Sequence, residues 1–219
     1  MKKAVVLLSG GLDSSTTLFY AKTKGYKCYC LLFDYGQRHR KEINSAVTLA
    51  KMTESEYRIV KIKLPWSRSA LTNTKIKIRK NRSTKSMSKE IPATYVPARN
   101  TIFLSFAASY AESVGASKIF IGANALDYSG YPDCRPNYIK AYEKMINLGT
   151  KSGIEGKKIK IEAPLLRMTK AQIIMLGEKL KVPYGFTWSC YAGGKYPCGA
   201  CDSCKLREKG FKEAILLKI

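Results

Sequence analysis

The sequence predicts an α/β protein whose open parallel sheet carries helices on both faces, with a small cysteine-rich unit near its C-terminal end. Three observations lead there. Short apolar runs recur without the alternation of a one-sided sheet, as strands buried on both faces do. Helical stretches separate them, which is the pattern of repeated strand–helix units. Four of the seven cysteines, Cys190, Cys198, Cys201 and Cys204, crowd together late in a chain of 219 residues.

In order, residues 4–8 (AVVLL) read as a doubly buried strand that ends in Ser9-Gly10-Gly11. A helix over 14–24 follows, stopped by Gly25, and 28–33 (CYCLLF) form a second strand. Residues 38–52 place Ile43, Ala46, Val47, Leu49 and Ala50 at helical spacing, and 57–64 (YRIVKIKL) alternate as a third strand. From 65 to 97 the chain turns polar, basic and rich in Ser and Thr, too long for a simple connection, so a mobile lid is expected there. A largely apolar helix over 99–114, a strand over 118–122 and a helix over 136–148 with proline in its first turn resume the pattern. Residues 159–163 suggest a fifth strand. Thr169 and Gln172 have capping-box spacing before a helix over 170–180. The expected division is an α/β domain over 1–185 and a cysteine-rich motif with a helix over 186–219.

Composition supports a globular chain: 45% hydrophobic and 25% charged residues exclude disordered, collagen-like and coiled-coil classes. The apolar run at 4–8 is shorter than a signal-peptide core and far shorter than a membrane span, so no membrane partner and a cytoplasmic location are expected. Thirty-nine Lys and Arg against sixteen Asp and Glu leave a formal charge of +23, which attracts nucleic acid, anionic membrane or phosphorylated small molecules alike. The densest run, 75–89, lacks aromatic residues for stacking on bases; a hydrated lysine-rich face and an RNA patch both remain open for it.

Three motifs carry chemistry. The first, Ser9-Gly10-Gly11-Leu12-Asp13-Ser14-Ser15-Thr16, joins the first strand to the first helix. Its glycines let backbone approach an anion, the helix N-terminus aims N–H groups at it, and several hydroxyls can donate. It is neither a Walker A loop nor GxGxxG, and it resembles the pyrophosphate loop of the ATP pyrophosphatases. The second is the cysteine set, with two adjoining CxxC units. Four thiolates can wrap one tetrahedral ion and leave no open position for chemistry, which predicts structural zinc, with an iron–sulfur cluster as the competing occupant. The third runs over 122–135 and offers Asp127, Tyr128, Tyr131, Asp133 and Arg135 after a strand end. A pocket for a planar heterocycle bearing a carboxylate and a plain polar loop both account for it. Arg38, beside the lone His39, and Arg99, at a helix start, are further candidates for phosphate or carboxylate contact. His39 could serve as a base or as a hydrogen-bonded structural group.

These segments, SGGLDSS, FDYGQRH, YVPARN, GANxxDYSGYPDCR, APLL followed by TK, and TWSC with CGxCxSC, occur in the order they have in the 7-cyano-7-deazaguanine synthase (QueC) family, and the resemblance covers nearly the whole chain. It implies a Rossmann-like fold of the adenine-nucleotide alpha-hydrolase type. It also implies ATP-dependent carbon–nitrogen ligation, turning 7-carboxy-7-deazaguanine and ammonium into the nitrile that precedes queuosine or archaeosine. By the same resemblance ATP lies on Leu8, Ser9, Gly10, Gly11, Leu12, Asp13, Ser14, Ser15, Thr16, Thr17 and Leu18. Ser9, Asp13, Ser14 and Arg99 are the expected catalytic residues, and Arg38, Asp127, Tyr128, Tyr131, Asp133 and Arg135 the expected substrate contacts. One structural Zn²⁺ is expected on the four cysteines, Mg²⁺ with ATP, and a homodimer that needs no direct nucleic-acid contact. The competing reading is an ATP pyrophosphatase of the thiolase or lysidine type that modifies tRNA directly, using the +23 charge to hold it.

Overall fold

The computed structural model describes residues 1–83, 87, 90–126 and 131–218. Five strands, Lys3–Leu7 (β1), Lys27–Asp34 (β2), Glu56–Lys61 (β3), Lys118–Ile121 (β4) and Lys160–Glu162 (β5), form one sheet in the order β3-β2-β1-β4-β5. Every neighbouring pair is parallel; Val5 stands beside Tyr29 on one flank and Ile119 on the other. The chain winds outward from β1 to β3 and then returns to lay β4 against the free side of β1. That reversal opens a crevice beyond the carboxyl ends of β1 and β4.

The period-two geometry of β1 sends alternate side chains to opposite cores. Val5 and Leu7 pack with Leu104 and Ala107 of Arg99–Val114 (α3) and with Ile139 and Tyr142 of Pro136–Gly149 (α4). Ala4, Val6 and Leu8 pack with Leu18 and Ala21 of Leu12–Thr23 (α1) and with Ala46 and Ala50 of Lys41–Met52 (α2). A single turn, Lys151–Ile154 (α5), precedes β5. Lys170–Lys179 (α6) and Asp202–Leu216 (α7) share a third cluster with Leu12, through Leu165, Ile173, Ile174 and Ala214. No helix among the described residues is long and apolar enough to cross a membrane.

The expected elements are present, with boundaries that shift by a few residues. The capping box closes as the spacing predicts, Thr169 N–H on Gln172 Oε1 at 2.8 Å and Gln172 N–H on Thr169 Oγ1 at 3.3 Å. Helix α2 begins at Lys41 rather than 38. The Gln37 amide accepts from Tyr35 N–H and donates to Phe33 O, and this holds the preceding residues in a turn.

The stretch 65–97, expected as a mobile lid, is docked in its described residues. Ala70, Leu71 and Val96 are buried, apolar anchors that a basic composition conceals. Asn81 N–H donates to Ala200 O at 2.8 Å, Lys80 pairs antiparallel with Cys201, and Arg82 meets Asp202 at 2.9 Å with both side chains 8% exposed. Residues 84–86, 88 and 89 of the basic run lie outside the described residues.

Candidate active site and thiol cluster

A cavity of about 260 Å³ opens beyond the carboxyl ends of β1, β2 and β4. One wall is the loop after β1. Gly10 has φ +81°, and a Cβ on it would sit 2.3 Å from Glu42 O, so the loop rests directly on α2. A Cβ on Gly122, after β4, would meet Ser14 N at 2.9 Å. These two close approaches seat the start of α1 in the crevice. No side chain caps α1, and Gly11, Leu12, Asp13 and Ser14 line the cavity, which leaves the first-turn N–H groups available to an anion. Ser9 and Ser14 hydroxyls lie 3.0 Å apart on the same wall.

The helical period then turns the chain inward. Ser15, Thr16 and Thr17 donate to the carbonyls of Gly11, Leu12 and Asp13, and Leu18 enters the core. Of the expected nucleotide segment, therefore, Leu8, Ser9 and 11–14 face the cavity, whereas Gly10 and 15–18 support it from behind.

The remaining walls are charged. Lys170 Nζ reaches both oxygens of Asp13, at 2.7 and 2.8 Å, with the two side chains 10% and 23% exposed. Arg99 opens α3 directly after Ala98, a residue with a side chain held in the left-handed region at φ +52°. Its guanidinium approaches the Tyr35 hydroxyl at 3.5 Å, and among the described residues no carboxylate lies within ion-pair distance of it. Burial works against that charge, yet Tyr35, Tyr131, Asp133 and Tyr191 hold it well above the ordinary guanidinium range. Glu42, half-buried in the first turn of α2, is pushed up to about 7 by burial, with Arg99 pulling the other way. Arg207 of α7 donates to Thr187 Oγ1, Ser189 Oγ and Tyr184 O.

The expected substrate contacts divide. Tyr131 lines the cavity, with its hydroxyl 3.1 Å from that of Thr94. Arg38 does not; its guanidinium donates to the carbonyls of Ala70, Asn73 and Ile76 and so secures the 65–97 stretch instead. Asp133 is buried behind the wall, where its Oδ2 accepts from Asn100 N–H at 3.1 Å in the first turn of α3. Arg135 is exposed at the N-terminal boundary of α4, also off the cavity. Asp127 and Tyr128 lie outside the described residues. His39 packs edge-on against Trp188 away from the cavity, and burial lowers its basicity. Cys134 does line the cavity, but burial pushes its thiol up to about 11.

Glu42, Lys170, Arg207 and Trp188 were not among the expected site residues. Lys170 and Trp188 did lie inside quoted segments, the TK that opens the capping box and TWSC, but neither was given a role. Glu42 and Arg207 are ordinary helix residues until tertiary structure brings them together.

The four cysteines converge, their sulfurs all within 4.8 Å of one another. Zinc at about 2.3 Å from each sulfur would set them roughly 3.8 Å apart, so the cluster fits a tetrahedral ion after a small contraction. Burial opposes thiolate formation, yet hydrogen bonds from the backbone of Ala200 and Cys201 bring the Cys198 thiol down to about 7. Cys201 and Cys204 are pushed up, by burial and by crowding among the thiols, a repulsion that a divalent cation relieves. Trp188 ties this cluster to the first wall, its indole N–H on Cys190 O and its backbone N–H on Gly10 O, both at 2.9 Å. No other group of three or more His, Cys, Asp or Glu side chains converges among the described residues.

A family model described as queuosine biosynthesis protein QueC matches residues 3–215. The 7-cyano-7-deazaguanine synthase of Nostoc punctiforme is 56% identical over 213 residues, spanning 96% of this chain and 95% of that protein. Its namesake in Thermoplasma acidophilum is 58% identical over 214 residues, spanning 97% and 89%. Among solved structures, the NMN synthetase of Francisella tularensis superimposes at a TM-score of 0.51 with 14% identity, over 97% of this chain and 84% of that one. A 4-thiouridine synthetase solved with RNA and ATP gives 0.51 at 17% identity, over 99% and 51%. At such identities the two structures speak for the fold alone.

Proposed function

Because the chain belongs to the QueC family of queuosine biosynthesis proteins, we propose that it catalyses the reaction for which its relatives are named, the ATP-dependent conversion of 7-carboxy-7-deazaguanine and ammonium to 7-cyano-7-deazaguanine. The observation that carries this reading is the uncapped start of α1, with Ser9 and Ser14, in one cavity with an arginine that has no carboxylate within ion-pair distance among the described residues. The first feature suits a leaving pyrophosphate and the second an incoming carboxylate.

A carboxylate is a poor acyl donor, because its leaving group would be oxide. Attack of the substrate oxygen on the α-phosphorus of ATP makes that oxygen part of AMP, a far better leaving group. The N–H groups of 12–14 and the Ser9 and Ser14 hydroxyls stabilise the charge that builds on pyrophosphate. Arg99 orients the substrate carboxylate, and Tyr131 flanks its ring. Lys170 holds both Asp13 oxygens, so Asp13 stiffens the loop. Mg²⁺ bound with ATP would supply charge neutralisation on the phosphates. Ammonia displaces AMP to give the amide, and a second adenylation and elimination give the nitrile. Cys190, Cys198, Cys201 and Cys204 would hold one zinc ion, which would cross-link the C-terminal loop and take no part in the chemistry. Homodimeric assembly, a cytoplasmic setting and independence from tRNA complete the proposal.

Incubation with ATP, ammonium and 7-carboxy-7-deazaguanine is expected to release AMP and to yield the nitrile by mass spectrometry. ADP in place of AMP would overturn the mechanism. Metal analysis is expected to find one zinc per chain and no acid-labile sulfide.

A further inference from the structure

We infer that Glu42 is the proton acceptor of the amination step, receiving a proton from ammonium in the cavity so that neutral ammonia can attack the adenylated substrate. The inference rests on the reaction proposed above and adds to it a residue that no sequence motif singled out.

Ammonium has no lone pair and cannot attack a carbonyl; something in the cavity must take its proton. Few lining groups can. Both oxygens of Asp13 are held by Lys170. Burial drives the Tyr35 and Tyr131 phenols and the Cys134 thiol upward, which keeps them protonated at neutral pH. His39 lies off the cavity. Glu42 lines it, and its carboxylate has neither hydrogen bond nor ion pair among the described residues. The same residue is fixed beside the nucleotide wall, because the backbone of Gly10 rests on Glu42 O.

The step balances. The carboxylate takes H⁺ from NH₄⁺, leaving NH₃ and Glu42 as the acid; the nitrogen lone pair forms the C–N bond; the C–O bond to AMP breaks and AMP leaves with its electron pair. The adduct sheds one further proton to water, and Glu42 returns its own to solvent. Burial pushes its proton affinity up, to about 7, and Arg99 from α3 pulls the other way, which leaves it close to the working pH of a general base; the Tyr35 phenol beyond β2 faces the same cavity. The Asp13–Lys170 pair and Arg207 share the cavity.

The test compares Glu42→Gln with the native chain. In Glu42→Gln, kcat/KM for ammonium at neutral pH is expected to fall on the order of 10²-fold, while pyrophosphate exchange driven by the carboxylate substrate alone changes by less than about twofold. Hydroxylamine, largely unprotonated at neutral pH, is expected to close most of the gap. Plotted against pH, the native kcat/KM for total ammonium levels off above about 7, whereas the variant keeps climbing with free ammonia. Glu42→Asp, which keeps the acceptor on a shorter stem, is expected to level off as well, but at a shifted pH and with a lower plateau than the native chain. Equal loss of exchange and amination, or no rescue by hydroxylamine, would overturn the role. Should the native chain itself form no AMP, the proposed reaction falls instead, a separate outcome. If Glu42→Gln does not fold, the profile of Glu42→Asp decides, since a levelling-off at the native pH and amplitude despite the shortened side chain would count against Glu42.

Discussion

One wall of the cavity, residues 9–14, is contiguous chain; the facing charges, Glu42, Arg99, Lys170 and Arg207, come from four different helices. The contiguous wall works mainly through backbone groups, so its competence depends on how closely the chain can approach its neighbours. The assembled wall works through side-chain charges that are expensive to bury and sparsely paired. Damage to the first should therefore disturb folding and binding together, and damage to the second should separate them.

The largest separation is expected at Arg99. Removing a guanidinium that has no carboxylate partner among the described residues should lower kcat/KM for 7-carboxy-7-deazaguanine by about 10³-fold, while the urea midpoint of Arg99→Ala stays near or above the native value. Gly10→Ala is the counterpart on the contiguous wall. A Cβ only 2.3 Å from Glu42 O on a left-handed backbone should cost about 3 kcal/mol in chemical denaturation and weaken ATP binding in calorimetry. Loss of stability without loss of nucleotide affinity would erase the contrast.

Lys170→Ala tests the seam between the walls. It strands a largely buried Asp13 carboxylate, at a cost of about 2 kcal/mol, and adding Asp13→Asn should recover much of that in a double-mutant cycle. The smallest effect concerns Glu42 and pH. Its folded pKa lies above the unfolded one, so the stability it contributes is present below about 4.5 and is lost as pH rises through about 7. Glu42→Gln should accordingly show a higher Tm than the native chain at pH 8 and little difference at pH 4.5. The opposite sign would mean that the carboxylate is favourably paired.

The sheet, the strand–helix alternation and the contiguous wall were legible because each is encoded locally, as an apolar run, a capping pair or a glycine at a strand end. The thiol cluster was legible by its short CxxC spacings, with Cys190 brought in from eight residues upstream. The assembled wall was not. Glu42 reads as an ordinary acidic residue near a helix start, Arg207 as one cation among thirty-nine, and neither carries a local sign of facing a cavity. Arg38 misled in the other direction: its place in a suggestive motif did not reveal that three backbone carbonyls from the 65–97 stretch would claim its guanidinium. Motif spacing reports what neighbouring residues do together, and charge pairing across helices is settled only by packing.

Ala98 shows what the assembled wall demands of the backbone. Glycine would occupy its left-handed conformation without steric penalty, yet a methyl group stands there, immediately before Arg99. The methyl narrows the torsions open to the chain at the root of the guanidinium stem. Much of the ordering that a charged ligand would otherwise impose on arrival is thus completed when the protein folds, and the pocket holds its cation at the ready.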